Sequence, residues 1–296
     1  MSEGLALRLA AFAWLSRQVE VYGDVLLWSV LLQGFEFEGE RVPLVSQQGI
    51  FKPRLLALPL SIRSAVGSQY DDAHLPGGQL HYRYRGTDPF HRDNQGLREV
   101  RRQHLPLVYL HGLVPGRYLA SWPVYVVGDD PAGLTFTVQV DAAAYAMPEP
   151  AEFELGEARR DYLTSTFRRR LHQRVFRERV LSAYRERCAM CRLRHRELLD
   201  AAHIVADRDP AGEPRVSNGL SLCKLHHAAF DNLFVTVDPD YRVVVRRDVL
   251  EEEDGPMLRH GLQELHGVVI GLPRTVEWRP SREGLEERMR RFRQAG

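Results

Sequence analysis

Cys188, Cys191 and Cys223 are the only cysteines in a chain of 296 residues, and all three fall within one stretch, CAMCRLRHRELLDAAHIVADRDPAGEPRVSNGLSLCKLHHAAFDN, at residues 188–232. The first two form Cys-x2-Cys. The third forms Cys-x2-His with His226, after a gap of thirty-one residues. A two-residue spacer turns the chain tightly enough to aim both flanking side chains at one point. Two such turns supply three sulfurs and one imidazole, a tetrahedral donor set suited to structural zinc. An odd number of cysteines argues against a disulfide framework and for a reducing, cytoplasmic setting. The spacing therefore predicts a small fold stapled by Zn2+ on Cys188, Cys191, Cys223 and His226.

His227 follows the fourth ligand directly and needs another role. Counting back gives His203, fourteen residues, Asn218, eight residues, His227. With the two Cys/His turns around it, this pattern resembles the HNH nuclease family over about residues 188–245. The resemblance implies a two-stranded hairpin and a helix gripping one divalent cation, Mg2+ or Mn2+. LLDAAHIV would be the first strand, LSLC the second and KLHHAAFDN the helix. Phosphodiester hydrolysis needs a deprotonated water and a cation to offset charge on the phosphate and leaving oxygen. The resemblance makes His203 the general base, a role imidazole suits because it titrates near neutral pH. His227 would hold the catalytic ion. Asn218 would orient His203 across the loop or contribute to the metal. In one place the chain departs from the family, which commonly has a metal-binding Asp or His just before the base; here that residue is Ala202. Asp200 lies two residues earlier, on the same side of an ideal strand, and is the nearby carboxylate able to replace the missing ligand.

The remainder reads as α+β. Residues 5–33 carry apolar side chains at helical spacing, with a break near YGD at 22–24, and form a helical preface (1–45) that offers a dimer interface. FEFEGERVPLV alternates like a strand with Gly39 in the turn, and the prolines of QGIFKPRLLALPLSI oppose a helix. LHYRYR alternates, and residues 105–140 read as a run of strands. AMPEPAEFELG at 146–156 reads as a linker. EARRDYLTSTFRRRLHQRVFRERVLSAYRERC then reads as an amphipathic helix, so 151–187 is linker and arginine-rich helix, with Arg168, Arg169 and Arg170 as candidate DNA-backbone contacts. Thirteen arginines stand against three acidic residues between Arg159 and Arg196, and the planar guanidinium suits phosphate. A hairpin, FVTVDPDYRVVVRRD, and a charged helix near 281–293 lie at the end, with 246–296 as a C-terminal extension. No segment reaches the roughly 18 unbroken apolar residues of a membrane span.

Residues 46–150 carry a second pattern, QYDDAHLPGGQLHYRYRGTDPFHRDNQGLR at 69–98. It resembles SRA (YDG) domains, readers of 5-methylcytosine built on a curved β-sheet flanked by helices. The resemblance places Tyr70 and Tyr84 around a flipped base and Asp72 on its exocyclic amine, a geometry suited to reading a modification inside a duplex. GTDPFHRDN would be a loop near the DNA. A reader, an arginine-rich helix and an HNH module in series resemble modification-dependent restriction endonucleases. The expectation is a homodimer acting on double-stranded DNA that contains 5-methylcytosine or 5-hydroxymethylcytosine. The alternatives are a nuclease reading phosphorothioate or plain sequence, and a non-catalytic, zinc-stabilised DNA-binding protein, which Ala202 keeps open.

Overall fold

A computed structural model describes residues 3–66, 74–75, 79–140, 172–206, 212–253 and 255–295. The chain divides into two compact units, with the boundary between residues 171 and 172.

The strand β8 (Leu107–Val114) shows why the first unit folds as it does. Its sequence, LVYLHGLV, is apolar almost without interruption, as a strand covered on both faces must be. Leu107 and Tyr109 enter one core, with Leu97 and Val100 of helix α3 (Arg92–Arg102). Val108 and Leu110 enter the other, with Leu7, Ala11 and Leu15 of helix α1 (Glu3–Tyr22). Around β8 the main sheet runs β4 (Ile50–Phe51), β5 (Ser61–Arg63), β8, β9 (Arg117–Asp130), β10 (Thr135–Val140), β7 (Gln79–Arg83) and β6 (His74–Leu75). Among the described residues, only β5 and β8 pair parallel. Register shifts at Leu107/Tyr109, Gly112/Val114 and Thr137/Val138 add twist and curl the sheet. Pro123, inside β9, falls at the first of these irregularities, where a missing N–H costs the ladder least.

The preface is only partly helical. After α1, Gly23 takes φ +76°, and Val25–Leu27 form a strand, β1, paired with the start of β9; helix α2 follows at Trp28–Gln33. Pairing with an open strand edge overrides the helical spacing of those residues. FEFEGERV forms the expected hairpin, β2 (Phe35–Phe37) and β3 (Glu40–Val42), turning through Glu38 and Gly39, both at positive φ. GTDPFHRDN, read from the sequence as a loop, is one only as far as His91: its last three residues, Arg92, Asp93 and Asn94, open helix α3. His91 accepts a hydrogen bond from the Asp93 N–H at its start, and Arg101 and Arg102 sit at its end. Arg8 is fully buried and donates to the carbonyls of Pro106 and Pro59 at 2.8 and 2.7 Å, tying α1 to the loops ahead of β8 and β5.

The second unit is built on a ββα element. Strands β11 (Leu199–His203) and β12 (Gly219–Cys223) pair antiparallel with Asp200 opposite Leu222 and His203 opposite Gly219; helix α5 (Lys224–Asp231) follows without a break. These are the three elements expected from LLDAAHIV, LSLC and KLHHAAFDN. The hairpin β13 (Val235–Val237) and β14 (Val243–Val245) packs beside them, followed by α6 (Arg247–Glu251), α7 (Pro256–Gly261) and α8 (Arg282–Ala295). Helix α4, residues 172–183, underlies the hairpin through Phe176, Val180 and Leu181. Among the described residues, no helix is long and apolar enough to cross a membrane.

Gly219 sets the distance between α4 and β12. A Cβ there would lie 2.5 Å from Val180 Cγ2 and 2.8 Å from Phe176 Cζ. Gly219→Ala is therefore expected to destabilise the second unit by about 1–3 kcal/mol through overpacking. Urea denaturation of the variant against the parent protein measures this directly.

Candidate functional site

The predicted zinc ligands converge. Cys188 leaves the turn after α4, and its N–H bonds to the Leu193 carbonyl at 2.9 Å while its carbonyl accepts from the Arg192 N–H at 3.0 Å, closing a tight loop around Cys191. Cys223 ends β12 and His226 stands on the first turn of α5. The four donor atoms all lie within 4.8 Å of one another, the one such group of His, Cys, Asp and Glu among the described residues. Cys191 Sγ is 3.9 Å from Cys223 Sγ, and His226 Nδ1 is 3.1 Å from Cys223 Sγ and 3.4 Å from Cys188 Sγ. Ligands about 2.0–2.3 Å from one tetrahedral zinc stand about 3.5–3.8 Å apart, so the cluster fits that ion. His226 Nε2 lies 2.7 Å from the Gly261 carbonyl. A proton held there leaves Nδ1 as the free donor atom, facing the sulfurs. Hydrogen bonding to Cys188 and Cys191 holds the Cys223 thiol far below its ordinary range, while bonds to Cys188 and Cys223 push Cys191 up. Three sulfurs this close do not all ionise without a cation among them.

A second group forms where β11 meets α5. Asp200 Oδ2 stands 3.7 Å from His227 Nδ1, and His227 Nε2 stands 3.2 Å from Asp231 Oδ2, one helical turn on. Lys224 Nζ approaches Asp200 Oδ2 at 3.1 Å, and Arg177 Nε of α4 approaches Oδ1 at 3.3 Å. Burial opposes ionisation of Asp200, but the Lys224 hydrogen bond, the Ala201 N–H and the charges of Lys224 and Arg177 hold its carboxyl below the usual range. The hydrogen bond to Asp231 raises His227 above the ordinary imidazole value, against burial. Ala202 faces the core, fully buried. Two ligands about 2.1 Å from one divalent ion lie about 3–4 Å apart, so Asp200 and His227 are spaced to share one. With Nδ1 on the ion, the Nε2–H would donate to Asp231, an arrangement that fixes the ring and strengthens the donor.

His203 ends β11 with its ring stacked on Phe176, centroids 4.0 Å apart and planes 14° from parallel. Asn218 acts on the chain just beyond. Its Oδ1 accepts from the Val205 N–H at 2.9 Å, and its Nδ2 donates to the Val205 carbonyl at 3.0 Å and the Glu213 carbonyl at 3.1 Å. Its own carbonyl accepts from the Ile204 N–H at 2.9 Å. The side-chain amide thus extends the ladder one step past His203.

Sequence reasoning missed Asp231, Arg177 and Phe176. Asp231 could have been found, being four residues after His227 on a helix that the sequence indicates. The two α4 residues carried no local signal, because their partners lie more than twenty positions away.

In the first unit, Tyr84 is packed in the core, with Phe136 at 4.5 Å, and its hydroxyl donates to Asp129. Arg98 binds both groups, at 2.8 Å to the Tyr84 hydroxyl and 2.8 Å to Asp129 Oδ2. The structure thus gives Tyr84 a packing role between β7, β9 and α3. Tyr70, Asp72, Arg168, Arg169 and Arg170 lie outside the described residues.

Comparison with known proteins agrees with the second unit's geometry. Residues 188–238 match the model of an HNH endonuclease family, and the chain carries an HNH endonuclease domain there. No curated protein matches the chain. A solved structure described as a modification-dependent TagI restriction endonuclease is similar at 15% identity, covering 79% of this chain and 81% of that one, with a TM-score of 0.28.

The cluster geometry predicts one tightly held zinc per chain. Elemental analysis of the purified protein should find it, and Cys223→Ala should lose it. The variant's second unit should then melt well below that of the parent, since metal binding and folding share one free energy.

Proposed function

We infer that the protein is a metal-dependent DNA endonuclease whose second unit hydrolyses phosphodiester bonds. The observation that supports this best is the placement of Asp200 Oδ2 3.7 Å from His227 Nδ1, with Asp231 behind the same ring. His203, at the strand end, is the general base that takes a proton from the attacking water. Phe176 holds its ring flat, and Asn218 fixes the backbone that follows. Asp200 and His227 hold the catalytic cation; Mg2+ or Mn2+ bound there offsets charge on the phosphate and the departing oxygen. Lys224, 60% exposed and 3.1 Å from Asp200, is the charge that must swing aside for it. The zinc cluster is structural.

The first unit supplies the choice of target. Its curled sheet with helices on both faces suits a reader of modified cytosine, with Tyr70 and Asp72 as pocket residues; Tyr84, packed in the core against Phe136, steadies the sheet instead of sandwiching the base. The Arg98–Asp129 pair holds the Tyr84 hydroxyl in one position. Arg168, Arg169 and Arg170 would follow the backbone. A site that cuts one strand per chain suits a homodimer for double-strand cleavage. Restriction of foreign, modified DNA in the cytoplasm is the role that joins these parts.

Incubating matched duplexes with and without 5-methylcytosine, in Mg2+ or Mn2+, tests both halves together. Cleavage should be confined to the methylated duplex, and His203→Ala should slow it about 100- to 10,000-fold, the usual range for a general base. Equal cutting of both duplexes would sink the methyl reader and keep the nuclease. Asp231→Asn, measured by activity against cation concentration, should weaken the apparent metal affinity about 10- to 100-fold while the protein stays folded.

A further inference from the structure

Several arginines in the second unit are matched to carboxylates. Arg196 binds Glu186 at 2.6 Å and also binds Glu178, which Arg177 meets at 3.2 Å. Outside the first zinc turn, Arg247–Glu251 and Arg259–Glu264 pair in the same way, at 2.6 and 3.2 Å. The first zinc turn differs in gathering four arginines without a carboxylate partner into ten residues. Arg185, Arg187, Arg192 and Arg194 surround Cys188 and Cys191, and among the described residues none of the four makes an ion pair. Arg185, Arg192 and Arg194 are exposed, and Arg187 is half-exposed.

The fold also presses these charges together. The Cys188 N–H bonds to the Leu193 carbonyl at 2.9 Å, so Arg187 and Arg194 flank a closed hairpin mouth. Arg185 and Arg192 occupy left-handed backbone, at φ +54° and +67°, where glycine is the unstrained choice. Arg192 is laid against Gly271, whose Cβ, if present, would meet its Nη1 at 2.1 Å. The acids that would ordinarily answer this charge, Glu178 and Glu186, are taken by Arg177 and Arg196; Glu197, exposed on the following turn, is the remaining one. Residues 185–198 therefore carry five arginines against two acids.

This surface leads to the hydrolytic site. Cys191 Sγ and Cys223 Sγ are 3.9 Å apart, so Arg192 and Lys224, the residues next to them, flank one cluster from its two turns. Lys224 in turn touches Asp200 at 3.1 Å.

We propose that the arginine-lined face of the first zinc turn is a docking surface for the sugar–phosphate backbone of duplex DNA, leading the strand along Lys224 to Asp200 and His227. Unpaired guanidinium groups held in a small, rigid turn are complementary to a row of phosphates, each able to take a bidentate contact. The zinc turn thus acts as a fold staple and as a platform for the substrate. The proposal rests on the nuclease reading.

The test is a salt titration of DNA binding by the full-length protein in the His203→Ala background, which prevents cutting. The probe is a short duplex, with and without 5-methylcytosine. Arg185→Gln/Arg187→Gln/Arg194→Gln should lower the slope of log affinity against log salt by about 2–3, near 0.9 for each lost phosphate contact. Its zinc content and melting temperature should match the parent's. Arg247→Gln/Arg259→Gln, which removes equal kinds of charge from paired positions, should keep the parental slope. An unchanged slope in the triple variant, or an equal fall in the paired-arginine control, overturns the docking surface and leaves the nuclease reading standing. A parent protein with neither DNA affinity nor cleavage overturns both.

Discussion

The second unit depends on the join between Cys223 and the strand opposite it. A two-stranded hairpin is marginal by itself in water, and among the described residues β11 and β12 have no third strand. Cys223 pairs with Leu199 in the ladder and belongs to the sulfur cluster at once, so a metal held there would pin one end of the hairpin. Asn218 pins the other end through Val205, and α4 lies beneath, closest at Gly219. Register is thereby fixed from three sides. Since side chains alternate faces, a slip of one residue would turn Asp200 away from His227 and His203 away from Phe176. The proposed chemistry at this site would therefore depend on the Cys188, Cys191, Cys223 and His226 cluster without using it directly.

Much of this was legible in the sequence, for a physical reason. Ligand spacing, strand alternation and helix continuation are local rules, so the zinc set and the ββα element can be read from 188–232. The Asp200–His227 approach also followed from period-two alternation along β11. What stayed hidden depends on distant partners. Val25–Leu27 look helical until β9 offers an edge, and helix α3 is marked only by Asp93 at its start and arginines at its end. Phe176 and Arg177 acquire meaning only when α4 packs under β11, where they meet His203 and Asp200.

Ala202 shows how a changed residue can be absorbed. A ligand just before the base would leave the strand at its very end, but alanine at that position is sealed in the core. Asp200 shares that face, two residues nearer the zinc end and beside the first turn of α5. The helix brings His227 to it, and Lys224 and Arg177 keep the carboxylate ionised in a half-buried setting. A carboxylate at 200 thus keeps the side of the sheet that position 202 has, but faces the first turn of α5 and His227.

The HNH match ends at residue 238, but the forces that shape the site do not. The Gly261 carbonyl, at the end of α7, sets the tautomer of His226. Arg288 of α8 reaches inward to the carbonyl of Ile204, beside His203, at 3.3 Å and to that of Phe230, beside Asp231, with its guanidinium 3.4 Å from the Phe230 ring centroid. Burial lowers its pKa only to about 10, so it remains a cation at neutral pH, braced between the strand that carries His203 and the helix that carries His227. Leu285 fills the core on the same helix. A hairpin and one helix are too small to fix the relation between His203 and His227 unaided. Residues from α4 to α8 supply that rigidity, which makes residues 172–295, rather than the matched segment, the unit on which catalysis would depend.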